Sequence, residues 1–155
     1  MRPFLVKGSL PDTLKHGSIV SAIVSNFDQM DWVPGVSREG FIQQTLLSIA
    51  NATFLKVGGD FWLIENADGT CGGYMLARFV VDIDNKLCYW ISQVYVAKEH
   101  RGKGSKEAFQ VIREYAKKNL ASHIVAVSGR ENSKAYCRFL GEGYHKYATL
   151  LKEDL

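Results

Sequence analysis

The apolar positions in the first third of the chain follow a helical period. Within residues 18–30, and again within residues 37–51, hydrophobic side chains recur at spacings of three and four. Each segment starts with a serine, a frequent N-terminal cap, and the loop at 32–35 contains proline and glycine. The pattern predicts two helices after a short first strand at 4–7.

The middle of the chain changes to strand-like runs bounded by turn-forming residues. These runs cover residues 53–57, 61–66, 71–82 and 87–96, and the Gly, Asp and Asn residues between them favour tight turns. We therefore expect consecutive strands to pair as an antiparallel meander. An amphipathic helix is predicted at 104–119, a buried strand at 121–128, a short helix at 132–140 and a last strand at 143–151. The order is β-α-α-β-β-β-α-β-α-β.

The composition indicates one globular domain spanning residues 1–155. Of the 155 residues, 46% are hydrophobic and 23% are charged, which is ordinary for a folded domain. The chain shows neither a signal-peptide pattern nor an apolar run long enough for a membrane span, so a cytoplasmic protein without membrane contacts is expected. The net charge of +3 is too modest to indicate nucleic acid binding. Neither a disulfide framework nor a zinc site is expected from the spacing of Cys71, Cys88 and Cys137.

A basic, glycine-containing loop follows the strand that ends in Val94, Tyr95 and Val96. It reads Arg101-Gly-Lys-Gly-Ser-Lys106 and leads directly into the amphipathic helix. Glycines allow the backbone to turn tightly, and the first turn of a helix offers unpaired N–H groups and a favourable dipole to an anion. On its own this pattern is also typical of a solvated basic turn. The surrounding elements favour a site for a small polyanion such as a diphosphate.

The order of strand, Arg-Gly-Lys-Gly loop and helix resembles the acyl-CoA signature of the GNAT N-acetyltransferases. Two further stretches resemble this family at the expected places, a hairpin around Gly73 and the segment from Asn132 to Tyr144. Lys106 departs from the pattern, because the family has Gly or Ala there. The resemblance covers nearly the whole chain. It implies an α+β, three-layer sandwich with a mixed, mostly antiparallel sheet of six to seven strands and about four helices.

The same resemblance implies acetyl-CoA as acyl donor, without a metal, and a primary amine on a small molecule or protein as acceptor. In the family the fourth and fifth strands splay apart, and the pantetheine arm lies against the fourth. The matching cofactor-binding residues are Val94, Tyr95, Val96, Arg101, Gly102, Lys103, Gly104, Ser105, Lys106, Asn132 and Phe139.

The catalytic residues are less well defined. The family's usual proton donor is a tyrosine, but the matching residue is Phe139, which carries no proton. Tyr136 lies one helical turn earlier and is the candidate acid, and Gln93 is a candidate for positioning water or the acceptor. Cys137 fits a buried structural thiol better than a nucleophile.

Two other readings stay open at this point. The fold could be kept as a CoA-sensing or protein-interaction module with little or no catalysis, since Lys106 and Phe139 both depart from the family pattern. A weaker alternative is an RNA-binding domain that stacks bases on Trp62, Tyr89, Trp90 and Tyr95. The short C-terminal segment is also compatible with a homodimer in which a second subunit completes the sheet.

Overall fold

The computed structural model describes the backbone of residues 4–30 and 35–127, and their side chains except those of residue 4 and residues 103–105. Within these residues the strands and α-helices are β1 Phe4–Val6, α1 His16–Asp28, α2 Arg38–Ala50, β2 Asp60–Glu65, β3 Cys71–Val81, β4 Leu87–Val96, α3 Lys103–Lys118 and β5 His123–Ala126. The sequence of strands and helices matches the predicted order β-α-α-β-β-β-α-β up to this point, although the run at 53–57 does not form a strand. The helix predicted at 132–140 and the strand predicted at 143–151 lie outside the described residues.

The described strands form one sheet in the order β1-β2-β3-β4-β5. The first four strands are antiparallel neighbours, as predicted for a meander, and β5 pairs with β4 in parallel. The mixed, mostly antiparallel sheet confirms the α+β class. Its described part has five strands, against the expected six to seven.

Two apolar layers cover the two faces of the sheet. Alternate side chains of β3 show this clearly, because Tyr74 and Leu76 pack with α1 and α2, whereas Met75 and Ala77 pack with α3. The molecule is therefore a three-layer sandwich, as expected. Across the described ranges, every helix is too short or too polar to span a bilayer.

The two predicted N-terminal serine caps behave differently. Ser37 caps α2, because its Oγ accepts a hydrogen bond from Gly40 N–H at 3.0 Å. The predicted cap at Ser18 is wrong, because α1 begins two residues earlier and places Ser18 in its first turn. Its hydroxyl instead donates to Lys15 O at 2.6 Å and accepts from Cys71 N–H at 2.8 Å. Ser18 thus ties α1 to β3.

The strand predicted at 53–57 is also wrong. Helix α2 continues into a π-helical turn at Asn51–Leu55, and the chain leaves it through Lys56 in the left-handed region, with φ of 56°. Buried Thr53 donates from Oγ1 to Ile49 O at 2.8 Å. The side chain therefore extends the helical turn, and its β-branched character, which favoured a strand in the sequence, is overridden.

A buried polar cluster lies between the sheet and α3. Asp60 Oδ2 accepts hydrogen bonds from the hydroxyls of Tyr89 and Tyr115, each at 3.0 Å, and Trp62 Nε1–H donates to Tyr89 at 2.8 Å. Lys7 lies 3.6 Å from the same carboxylate. Burial raises the pKa of Tyr89 well above its usual range. Because Trp62 and Tyr89 are buried and mutually bonded, they do not form a surface for stacking RNA bases.

Candidate functional site

Within the described residues, the edge of β4 that faces β5 is unpaired at its C-terminal end. The two strands pair from Cys88 opposite His123 to Ile91 opposite Ala126, and a last bond runs from Val127 N–H to Ile91 O at 3.0 Å. Among the described residues, no strand pairs with this edge beyond Ile91. The described pairing of β4 with β5 therefore ends at Ile91, and because the chain after residue 127 lies outside the described residues, the splaying of these two strands stays a prediction.

A β-bulge at Ser92 changes the phase of β4. In the pairing with β3, Gln93 lies opposite Leu76 and Ile91 lies opposite Ala77, so Ser92 is the extra residue. A bulge leaves one residue out of the ladder and reverses the alternation that follows it. The residues of β4 that face α3 are therefore odd-numbered before the bulge and even-numbered after it. On the side that faces α1 the numbering is reversed.

The backbone of Val94 and Val96 faces the open edge. Ala97 N–H donates to a carbonyl of β3 at 3.0 Å, whereas Val96 O accepts from Arg101 Nε–H at 3.0 Å on the other side. Successive residues of a strand direct their backbone groups to opposite sides. Val94 and Val96 therefore present N–H and C=O groups to the gap, while the backbone of Tyr95 faces β3.

An apolar cleft lies beside this open edge. It has a volume of about 330 Å³, including the part that is open to solvent. Strands β2, β3 and β4 and the first turns of α3 supply its walls, which are formed by Trp62, Ile64, Tyr74, Met75, Val94, Tyr95, Val96, Ala108, Phe109 and Ile112. The cleft therefore places an apolar wall beside the strand backbone of Val94 and Val96.

The N-terminus of α3 lies next to the same edge. A 3-10 turn at Lys98–His100 leads to Arg101 in extended conformation and to Gly102 with φ of +107°, and α3 begins at Lys103. Only glycine adopts such a φ readily. The N–H groups of the first helical turn have no intrahelical acceptor and are aligned with the positive end of the helix dipole. This geometry suits a phosphate or diphosphate group.

Basic side chains surround this N-terminus. Lys98, Arg101 and Lys106 are exposed, and His100 is half-buried. Glu99 is the acidic neighbour within the same turn. Because Lys106 is exposed, its long side chain can extend into solvent.

Arg101 connects the loop to two other elements. Its Nε–H donates to Val96 O at 3.0 Å, and a terminal guanidinium N–H donates to Gln29 Oε1 at the end of α1. These bonds use two of the five N–H donors of the guanidinium. Arg101 therefore fixes the loop relative to the end of β4 and to α1.

A second contact holds the loop against the β2–β3 turn. His100 Nε2 and Asn66 Oδ1 are hydrogen-bonded across Gly72. A Cβ atom at Gly72 would lie 2.5 Å from Asn66 Oδ1 and 2.8 Å from the His100 ring. Such distances are far below contact, so the approach of the loop to β3 requires glycine at this position.

Gln93 belongs to a buried polar network on the other face of the sheet. Its Oε1 accepts from Tyr74 OH at 3.1 Å, its Nε2 donates to Thr45 Oγ1 at 3.0 Å, and Asn26 Nδ2 donates to Tyr74 OH at 2.8 Å. Asn26 Oδ1 is buried without a hydrogen-bond partner among the described residues. Burial raises the pKa of Tyr74 above its usual range.

Sequence reasoning missed this network. Asn26 and Thr45 occupy buried positions of α1 and α2, and each interrupts an otherwise apolar helix face. A polar residue at such a position was the available signal, since buried polar groups need partners. Asn132, Tyr136 and Phe139 lie outside the described residues, so their predicted roles stay predictions.

The sequence matches the model of the Acetyltransferase (GNAT) family over residues 24–141. No curated protein sequence gives a significant match.

Several solved acetyltransferase structures share the fold. A "possible acetyltransferase" of Clostridium difficile is 15% identical with a TM-score of 0.68, over 100% of this chain and 99% of the other. A GNAT family acetyltransferase of Staphylococcus aureus is 16% identical with a TM-score of 0.63, over 100% of both chains. An aminoglycoside antibiotic 6'-N-acetyltransferase of Acinetobacter haemolyticus is 15% identical with a TM-score of 0.60, over 100% of this chain and 99% of the other.

Proposed function

Because the chain belongs to the GNAT acetyltransferase family, we propose that it transfers an acetyl group from acetyl-CoA to a primary amine. The observation that carries this proposal is the end of β4, with which no described strand pairs on the β5 side beyond Ile91, beside the N-terminus of α3. The strand backbone suits the extended pantetheine arm of the donor, and the helix N-terminus suits its diphosphate. The two are connected by only six residues, so a single ligand can contact both.

The described residues suit acetyl-CoA in their chemistry. The apolar cleft would receive the pantetheine chain, and the backbone N–H and C=O groups of Val94 and Val96 would pair with its amides in the manner of a strand. First-turn N–H groups at Lys103, Gly104 and Ser105 would bind the diphosphate, with Arg101 and Lys106 adding positive charge. Tyr95 also lines the cleft, although its side chain packs on the α1 side of the sheet.

The proposed reaction is a direct attack within a ternary complex. Acetyl-CoA supplies its acetyl group as a thioester; the neutral amine nitrogen forms a bond to the carbonyl carbon and loses a proton, the carbon–sulfur bond breaks, and the thiolate takes a proton. A backbone N–H on the open edge of β4 would stabilise the negative charge that develops on the carbonyl oxygen. An alkylamine with a pKa of about 10.4 must first lose a proton.

Two side chains are proposed for the catalytic work. Tyr136 would protonate the departing thiolate in place of the tyrosine that the family has at the position of Phe139. Gln93 would act from the α1 and α2 side of the sheet, where its amide is held by Thr45 and Tyr74. This arrangement suits the positioning of water or the acceptor better than a proton transfer, because an amide does not titrate.

The acceptor is proposed only as a class. The name of the Acinetobacter haemolyticus relative identifies an amino group of an aminoglycoside antibiotic as its target. A primary amine on a small molecule or on a protein is the corresponding proposal for this chain. We further propose a cytoplasmic location and a single functional domain over residues 1–155.

A second candidate is a CoA-binding module with little or no catalysis. It is favoured by Phe139, which cannot donate a proton, and by Lys106 at a position where the family has Gly or Ala. The two candidates share the cleft and differ only in turnover.

Calorimetric titration with acetyl-CoA tests both candidates, with desulfo-CoA and ATP as comparison ligands. We expect micromolar binding of acetyl-CoA that ATP does not reproduce. Amine-dependent release of free CoA thiol, measured over a panel of primary amines, would then identify the enzyme. Binding without thiol release from any amine would favour the module, and absence of binding would refute both.

The site assignment is tested by Gly104→Val, which places a branched side chain where the diphosphate would lie. We expect this change to abolish acetyl-CoA binding. Gln110→Val introduces the same side chain at an exposed position later in α3 and should leave the affinity unchanged. Equal affinities for the two variants would show that the first turn of α3 does not bind the donor.

A further inference from the structure

Three potential metal ligands meet at the end of the sheet away from the cleft. Asp82 follows β3, Cys88 lies near the start of β4 and His123 begins β5, and one ligating atom of each lies within 4.8 Å of the others. Cys88 is six residues from Val94, which corresponds to about 20 Å along a strand. The cluster is therefore distinct from the acetyl-CoA cleft.

We propose that Asp82, Cys88 and His123 form a binding site for a divalent transition-metal ion, with Zn²⁺ as the best match. A carboxylate oxygen, a thiolate sulfur and an imidazole nitrogen are the three ligand types that Zn²⁺ prefers. Three protein ligands leave a fourth tetrahedral position for water. The Cys88 side chain is buried, the Asp82 side chain is 3% exposed and the His123 side chain is 29% exposed, so an ion would enter from the imidazole side.

Outer contacts already orient two of the three ligands. Ser122 Oγ lies 2.7 Å from Nδ1 of His123, and Ile83 N–H donates to Asp82 Oδ1 at 2.7 Å. These bonds leave His123 Nε2 and Asp82 Oδ2 directed toward each other, 2.8 Å apart. Metal-binding histidines and carboxylates usually have such supporting hydrogen bonds, which fix the ring and the carboxylate for coordination.

A metal ion would take the place of protons in this cluster. Without an ion, His123 Nε2 and Asp82 Oδ2 are hydrogen-bonded to each other, and the Cys88 side chain is buried beside them. A divalent ion would take the place of this hydrogen bond and of the thiol proton, and it would supply the charge that stabilises a buried thiolate. Ligand atoms on a tetrahedral ion at about 2.0 Å lie about 3.3 Å apart, so the pair must open by roughly half an ångström.

The spacing of the cysteines and histidines in the sequence did not indicate this site. Its ligands come from three strands, and His123 is 35 residues from Cys88. Only the parallel pairing of β4 with β5, which places His123 opposite Cys88, brings the two together.

Co²⁺ titration of the full-length, EDTA-dialysed protein under reducing conditions tests the proposal. Co²⁺ bound to a thiolate gives a charge-transfer band in the near ultraviolet, and tetrahedral coordination gives intense visible bands. We expect both bands at one ion per chain, and we expect Zn²⁺ to remove them. The double variant Cys71→Ser, Cys137→Ser retains Cys88 as its only thiol and should keep the charge-transfer band.

Variants of two ligands and of the supporting residue Ser122 decide the outcome. Cys88→Ser should lose the charge-transfer band, His123→Gln should bind Co²⁺ at least about tenfold more weakly, and Ser122→Ala, at an exposed position, should weaken binding about 10- to 100-fold. Circular dichroism checks that each variant is folded. Absence of the bands in the unaltered protein, or a charge-transfer band that persists in Cys88→Ser, would overturn the proposal and leave Asp82 and His123 as an ion pair only.

Discussion

Replacing Gly102 by alanine tests the backbone conformation of the diphosphate loop without adding a steric clash. Gly102 has φ of +107°, which a residue with a Cβ atom rarely adopts, yet a Cβ there would meet no atom within 4 Å. The substitution therefore adds strain without a clash, and such strain costs about 1–3 kcal/mol. If the loop relaxes in the free protein, it must return to this conformation to bind acetyl-CoA. The dissociation constant would then rise by about 5- to 150-fold.

The strain can also appear as lost stability, so both quantities must be measured. We expect the losses in binding free energy, from calorimetry, and in unfolding free energy, from urea denaturation, to sum to about 1–3 kcal/mol. Gly17→Ala is the matched control, because Gly17 lies within α1 and a Cβ there also meets no atom within 4 Å. It should stabilise the protein by up to about 1 kcal/mol and leave the affinity unchanged. A Gly102→Ala protein that equals the unaltered protein in both measurements would refute the reasoning.

Three further substitutions test other parts of the fold. Gly72→Ala should push the diphosphate loop off β3, because the added Cβ would lie 2.8 Å from the His100 ring, and weaker acetyl-CoA binding in calorimetry would reveal it. Tyr89→Phe should lower the unfolding free energy in urea by about 1–3 kcal/mol, because it leaves Trp62 Nε1–H buried without its acceptor. Burial raises the pKa of Cys71 from 9.0 to about 11, so the native state retains a proton that the unfolded chain releases, and stability falls between these pH values. Cys71→Ser should reduce this loss of unfolding free energy at alkaline pH by up to about 3 kcal/mol. If the unfolding free energy depends on pH in the same way in the variant, the loss does not come from the Cys71 thiol.

The regular elements of the fold were predictable because their patterns are long. Helix α3 has an apolar face over several turns, and the β3–β4 hairpin has turn residues between two long strand-like runs. The segment at 53–57 misled the prediction because five residues carry too little periodicity to separate a strand from a helical turn. There the decisive contact is the bond from Thr53 to Ile49, which composition does not reveal.

The candidate site was predictable only where its residues are adjacent in sequence. The loop from Arg101 to Lys106 could be recognised because its glycines, charges and following helix are contiguous. The bonds of Gln93 with Thr45 and of Tyr74 with Asn26 each join residues 48 positions apart, and no local pattern encodes such pairings. The bulge at Ser92 has no glycine or turn-forming residue either. The sequence therefore does not reveal which side chains of β4 face α3 beyond this residue.

The bulge at Ser92 has a practical consequence for altering the donor site. A library that follows simple alternation along β4 from Ile91 would continue to Gln93 and Tyr95, and would therefore mutate the buried polar network and the α1 side of the core. The positions that continue the α3 side of Ile91 are Val94 and Val96, which line the cleft. Smaller or larger residues at these two positions should change the affinity for the pantetheine arm of acetyl-CoA while leaving the remainder of the strand intact.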